Sequence, residues 1–202
     1  MNYEKLQNNM IDQIKEAQMK LGYVKETVRL YYPLSSLCNL LEMEVPTAPE
    51  EISGEKALPV AQMDFTDNLK HHLQQYFGDD DVLGNVSFVF RAENVEVGIP
   101  PKGVEYVHHF VEEPAFLKAL IQLFENRHHC TIEDVKELFR SFSADYVCEG
   151  LTGEMATARG FDYVLYFRDS TIDAYYYCLK EEMGHLHYHR FTKADYVQSF
   201  AG

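Results

Sequence analysis

The sequence predicts an α+β fold in two lobes packed as one compact unit. Residues 1–113 supply helices and a small antiparallel hairpin; residues 114–202 supply two helices and a three-stranded antiparallel meander. Three observations predict it. Apolar residues recur at three- and four-residue steps from Tyr3 to Leu21 and from Phe116 to Phe124, the spacing of one helix face. Between Asn85 and Ile99, and again from Phe161 onward, β-branched and aromatic runs are broken by turn residues, the pattern of short strands. Finally, 202 residues that are 46% hydrophobic and 13% aromatic suffice for one substantial core or two small ones.

In chain order, Tyr3, Leu6, Met10, Ile14, Ala17 and Leu21 line one side of a helix that Gly22 can stop. Val28 to Tyr32 reads as a short β-like run. Pro33, with Ser35 and Ser36, opens a second helix carrying Leu34, Leu37, Leu40 and Leu41. Between Glu42 and Asp67 seven acidic residues stand against the single Lys56, interleaved with Pro46, Pro49 and Pro59. Such a composition buries too little apolar surface to offset ordering and predicts a long surface loop, with an acidic docking strip as the functional alternative.

Phe65, Thr66 and Asp67 then lead into a helix ending near Phe77, with Leu69, Leu73 and Tyr76 on its inner face. His71 and His72 are adjacent and so point about 100° apart, which disfavours a two-ligand site. Asp79, Asp80 and Asp81 lack the alternating ligands and later Glu of a calcium loop and read as a polar turn. Asn85–Arg91 and Val95–Ile99 form a hairpin across Ala92, Glu93 and Asn94. Val104, Val107, His108 and Val111 have helical spacing, although Tyr106, His108 and Phe110 also alternate as on a strand; we read a helix.

Pro114 starts an amphipathic helix, and Thr131 caps the next, TIEDVKELFRSF, with Asp134 at the third position. His128, His129 and Cys130 precede that cap. A helix dipole and neighbouring imidazolium would favour a Cys130 thiolate, but no orienting Asn, Asp or Gln stands in a recognisable motif, and a structural role is preferred. Tyr146–Leu151 suggests a further short strand. Gly150, Gly153 and Gly160 bracket a flexible connection, and Thr192 with Asp195 caps a last short helix.

The stretch from Phe161 to Phe200 concentrates aromatic side chains and three of the nine histidines. Phe161–Arg168 and Asp173–Lys180 read as antiparallel strands, followed by the alternating run HLHYHRF as a third. Alternation puts His185, His187 and His189 on one face and Leu186, Tyr188 and Arg190 on the other. A turn of Met183-Gly184 sets Cys178 opposite His189, a turn of Glu181 to Gly184 sets it opposite His187, and an odd turn brings Tyr175 or Tyr177 there instead. Imidazole and thiolate are zinc donors, so Cys178, His187 and His189, with His185 assisting, form the candidate metal set. The competing and preferred reading is a solvated sheet face, with Tyr175, Tyr177, Leu179, Leu186 and Tyr188 turned to the core.

A net charge of −14 and a pI near 5.0 argue against binding a phosphate backbone. Two helices followed by a meander invite comparison with a winged helix, but TIEDVKELFRSF offers only Lys136 and Arg140 as basic groups. Neither GxxxxGK[ST] nor GxGxxG occurs. The four cysteines form no CxxC pair, and charged residues stand where a secretory leader needs an apolar block, so a cytoplasmic protein with reduced thiols is expected. No apolar run approaches the ~18 residues of a membrane span.

The segments IDQIKEAQMKLGYVKETVRLYYPLSSL, IPPKGVEYVHHF and FDYVLYFRDSTIDAYYYCL resemble a bacterial family catalogued as a domain of unknown function (DUF3877-like), over the length of the chain. The resemblance implies no activity and no site residue. From the residues themselves, the preferred function is a non-catalytic binding protein with an acidic, Tyr-rich surface, its partner a basic protein or a second copy of the chain, with neither nucleic acid nor membrane. The alternative is a metal-binding protein or metal-dependent hydrolase built on the histidine strand with Cys178, taking zinc. A third reading, nucleic-acid mimicry, rests on charge alone.

Overall fold

The computed structural model describes residues 1–44, 58–91, 94–126 and 129–200, with side chains 58–63 excepted. The fold is α+β, with two antiparallel sheets, and divides into two compact units, Met1–Glu112 and Glu113–Gly202.

In the first unit, helix α1 (Tyr3–Leu21) starts at Asn2, whose side chain accepts from the Lys5 amide. It buries Leu6, Met10 and Ile14 as the periodicity predicts. Leu21, assigned to the same face, is 85% exposed, because the helix ends there, at Gly22, beyond the core. The expected hairpin, β2 (Ser87–Arg91) and β3 (Asn94–Ile99), is joined by a third strand. Val28–Pro33 forms β1 and the sheet order is β1-β3-β2. Leu30 and Tyr32 alternate inward and so complete a sheet that a lone hairpin could not stabilise.

Pro33 stands immediately before helix α2 (Leu34–Leu40), and Pro101 occupies the first turn of α4 (Pro101–Phe110), where a missing N–H costs nothing. Helix α3 runs from Leu58 to Phe77, so it begins ahead of the expected entry at Phe65 and takes in the end of the stretch Glu42–Asp67 read as a loop. Pro59 stands in the first turn, where it is tolerated, and no breaker follows before Gly78. Residues 45–57, the remainder of the acidic stretch, lie outside the described residues. Leu69 and Leu73 face inward as expected, but Phe77 is the third buried residue and Tyr76 is 46% exposed, stacked on Tyr3 at 4.3 Å between ring centres. The core joins these helices to the inner sheet face through Leu30, Phe88, Val95, Val97 and Ile99. Each such side chain contributes roughly 1.5–3 kcal/mol by leaving water. The buried Asn9 of α1 accepts from Tyr32 Oη at 2.9 Å and from Gln13 Nε2 at 2.8 Å.

In the second unit, helices α5 (Ala115–Asn126) and α6 (Ile132–Phe142) precede a sheet of four strands, not three. Tyr146–Gly150 forms β4, followed by β5 (Tyr163–Phe167), β6 (Tyr175–Glu182) and β7 (His185–Thr192), in the order β4-β5-β6-β7. The expected cap of α6 is present: Thr131 Oγ1 accepts from the Asp134 amide, and Asp134 accepts in return from the Thr131 amide. The glycine-bracketed connection after β4 contains a short helix, α7 (Glu154–Arg159). Gly153 (φ +60°) and Gly160 (φ +76°) make its ends, so the residues that suggested flexibility serve as caps. Helix α8 (Lys193–Phe200) follows β7 and is capped by Thr192, which accepts from the Asp195 amide.

Side chains pack against both faces of this sheet. Phe116 and Leu120 of α5 and Val135 and Phe139 of α6 pack on Leu165, Phe167, Tyr177, Leu179 and Leu186. Tyr196 and Phe200 of α8, with Phe161, cover Val164, Tyr166, Tyr176 and Cys178 on the other side. There the Tyr166, Tyr176 and Tyr196 rings stack in a column, 4.1 and 4.8 Å apart.

Candidate functional site

The β6–β7 turn is Met183-Gly184, with φ of +52° and +78°. Positive φ at both positions is what a two-residue hairpin turn of type I′ demands. It sets Glu182 against His185, Lys180 against His187, and Cys178 against His189. Of the registers open to the sequence, the shortest even turn is therefore the one adopted. Asn or Asp before the glycine would have signalled it; Met183 does not.

His185, His187 and His189 share one sheet face with Cys178, Lys180 and Glu182, and the three imidazoles project into solvent. Cys178 lies on that face but is 1% exposed, enclosed by Leu151, Phe161, Val164 and Tyr196. Burial pushes its thiol up to about 12, with the Arg159 charge opposing. Thiol and imidazoles thus neighbour one another in register while meeting different environments. Glu182 pairs with Lys180 at 2.6 Å, and that hydrogen bond holds its carboxyl below the usual range. His129, from the connection between α5 and α6, stacks on His185 at 5.7 Å, an approach the sequence did not foretell. Among the described residues no group of three or more His, Cys, Asp or Glu side chains converges closely enough to hold a metal.

The other sequence candidates resolve individually. Cys130 is buried, with its Sγ 3.8 Å from the Thr131 carbonyl oxygen; His128 lies outside the described residues. His71 and His72 are exposed on α3. Asp80 closes a turn, accepting from the Val82 and Leu83 amides and from Gln7 Nε2, so the aspartate run is a polar turn as expected.

A second surface was not legible beforehand. On the outer face of β1-β3-β2, register places Tyr31 and Val89 on either side of Glu96. Glu96 is buried, and its two carboxylate oxygens take Arg29 Nη1 at 3.3 Å and Arg91 Nη2 at 2.9 Å. Both guanidiniums remain largely exposed, Tyr31 is 61% exposed and Val89 is 47% exposed. The carboxylate braces two arginines beside an aromatic and an aliphatic side chain. Only strand pairing reveals this, since Arg29, Val89 and Glu96 come from three strands.

Among the described residues no helix is long and apolar enough to cross a membrane. No curated protein and no solved structure matches the chain. One family model does, over residues 3–200, covering both sheets and every helix described above. The chain therefore belongs to the family described as "Domain of unknown function, E. rectale Gene description (DUF3877)".

Proposed function

We propose that this protein is a non-catalytic binding module of a reducing, cytoplasmic compartment, and that its contact surface is the outer face of β1-β3-β2. The observation that carries the reading is the open Tyr31–Val89 surface set between Arg29 and Arg91 and braced by Glu96. Tyr and Arg are the residues in which interface centres are enriched, and a pre-braced guanidinium loses less freedom on binding than a mobile one.

Two guanidiniums share one carboxylate, so the face carries a positive surplus on a chain whose net charge is −14. The occupant it fits is a protein segment presenting carboxylates to the remaining guanidinium N–H groups, with apolar side chains against Tyr31 and Val89. The overall charge favours a basic partner at long range, but screening confines that field to about 8 Å at physiological salt. Contact chemistry then decides. Cys38, Cys130, Cys148 and Cys178 are thiols rather than disulfides, which accords with a reducing compartment.

The test is quantitative affinity capture with the wild type, Tyr31→Ala and the charge reversal Arg29→Glu/Arg91→Glu, each first shown by thermal melting to fold. The reading requires an acidic-segment protein that the wild type enriches and both variants lose by at least about tenfold. Equal recovery by all three proteins overturns it.

A further inference from the structure

The geometry points to a zinc site completed by a second copy of the chain, in which two β7 strands pair edge to edge and their histidine rows meet. This inference concerns the second unit and is independent of the surface proposed above.

β7 stands at one end of the sheet order, so its outer flank is a template for a further strand. A shallow depression of about 560 Å³ lies against this strand, lined by Phe124, Leu186 and Tyr188 of one sheet face and by His187 and His189 of the other, with Gly160. Reaching both faces at an end strand means passing over its edge. The strand holds no proline, and its one Lys or Arg side chain, Arg190, is drawn over the Tyr175 ring of β6, 4.0 Å from its centre, rather than toward the open edge.

The occupant follows from strand geometry. Along an antiparallel strand, alternate residues direct N–H and C=O to the same side, and an outward residue must oppose an outward residue. A two-fold axis relating two β7 strands therefore passes midway between one residue and the same residue of the other copy, and odd-numbered residues oppose odd-numbered ones. All three β7 histidines are odd-numbered, so every such register places both imidazole rows on one face. Of the registers with greatest overlap, the one centred on Tyr188 sets His187 opposite the partner's His189, and the converse.

Strand rise and strand spacing then put these four imidazoles at the corners of a rectangle of about 7 by 5 Å. Four neutral imidazole nitrogens converging on one point suit tetrahedral zinc. Within one chain the imidazoles of β7 stand in a single row, and among the described residues no group of three ligands converges on a metal. On the opposite face the same register sets Tyr188 against the partner's Tyr188, an aromatic pair of the kind that stabilises sheets.

The experiment titrates zinc chloride into tag-free protein and follows mass by light scattering and metal by elemental analysis after gel filtration. The expected result is a zinc-dependent dimer holding one zinc per two chains. His187→Asn/His189→Asn should remain monomeric and weaken zinc binding at least about tenfold, while His185→Asn behaves as wild type; thermal melting verifies folding of each. A chain that stays monomeric in saturating zinc, one zinc per chain, or equal dimerisation of the double variant each overturns the inference.

Discussion

Cys178 and His189 face each other directly across β6 and β7, yet the thiol is sealed under α8 while the imidazole stands in solvent. The sheet face they share changes from dry to wet within one strand spacing. β6 is roofed by Tyr196 and Phe161 at this point, and β7 lies at the sheet's end. A thiol held protonated by burial is a core side chain, and its behaviour toward base and toward thiol reagents follows.

With its folded pKa raised from 9.0 to about 12, Cys178 keeps a proton that the unfolded chain loses in that interval. Stability from this group is complete below pH 9 and falls as pH rises toward 12. Cys38, Cys148, Tyr176 and Tyr196 are raised as well, mainly by burial, and act with the same sign. Urea unfolding across the alkaline range should show declining stability, with a shallower decline in Cys178→Ser. At about pH 8 the folded protein should leave Cys178 unmodified by a thiol reagent that labels it after denaturation. Prompt labelling in the folded state would show that the roof over it is open.

Tyr177 carries a different kind of dependence. Its ring is fully buried against Phe116 and Phe139, at 5.3 and 5.8 Å, while its hydroxyl donates to Asp173 Oδ2 at 2.8 Å. Tyr177→Phe keeps the packing and loses the hydrogen bond, an expected cost of about 1 kcal/mol. Tyr177→Ala removes the ring from the centre of the second core, an expected cost of about 3–5 kcal/mol. Equilibrium denaturation of the two variants separates these terms; similar losses would place most of Tyr177's contribution in the hydroxyl.

The pattern of what was legible follows the range of the interactions involved. Periodicity located α1, α5 and α6, and the Thr131–Asp134 box marked a helix start, because each depends on residues within a few positions. The alternation of HLHYHRF gave the two faces of β7 correctly, with Leu186 buried and the imidazoles outside. The membership of the sheets was hidden. Nothing local in Val28–Pro33 reveals that it pairs with Asn94–Ile99, and the paired arginines on Glu96 depend on that pairing. Burial of Cys178 was hidden for the same reason, since α8 returns over the sheet from beyond β7.

Gly103 tests close packing between a helix and a turn. In an exposed helix interior, glycine to alanine stabilises by about 1 kcal/mol. Here an added Cβ would stand 2.5 Å from the Leu83 carbonyl oxygen and 2.9 Å from Leu83 Cα, both backbone atoms that cannot swing aside. Gly103→Ala should therefore destabilise by about 1–3 kcal/mol, read from the denaturation midpoint. An unchanged or raised midpoint would mean that α4 can move away from the turn at no cost.

Glu96 separates bracing from burial. Its carboxylate holds Arg29 and Arg91 at once while its own side chain is withdrawn from solvent, whereas Glu105 pairs with Lys25 at 2.7 Å between two side chains that are both substantially exposed. Glu96→Gln keeps the shape and removes the charge, leaving two guanidiniums to repel one another. We expect a loss of about 1 kcal/mol at low salt, the upper end for partly exposed pairs, shrinking as added salt screens the arginines. Glu105→Gln should leave the unfolding midpoint unmoved at either salt concentration. If the Glu96 variant is equally stable and equally insensitive to salt, the arginines are not held by this carboxylate, and the outer sheet face loses the pre-arrangement on which the binding reading depends.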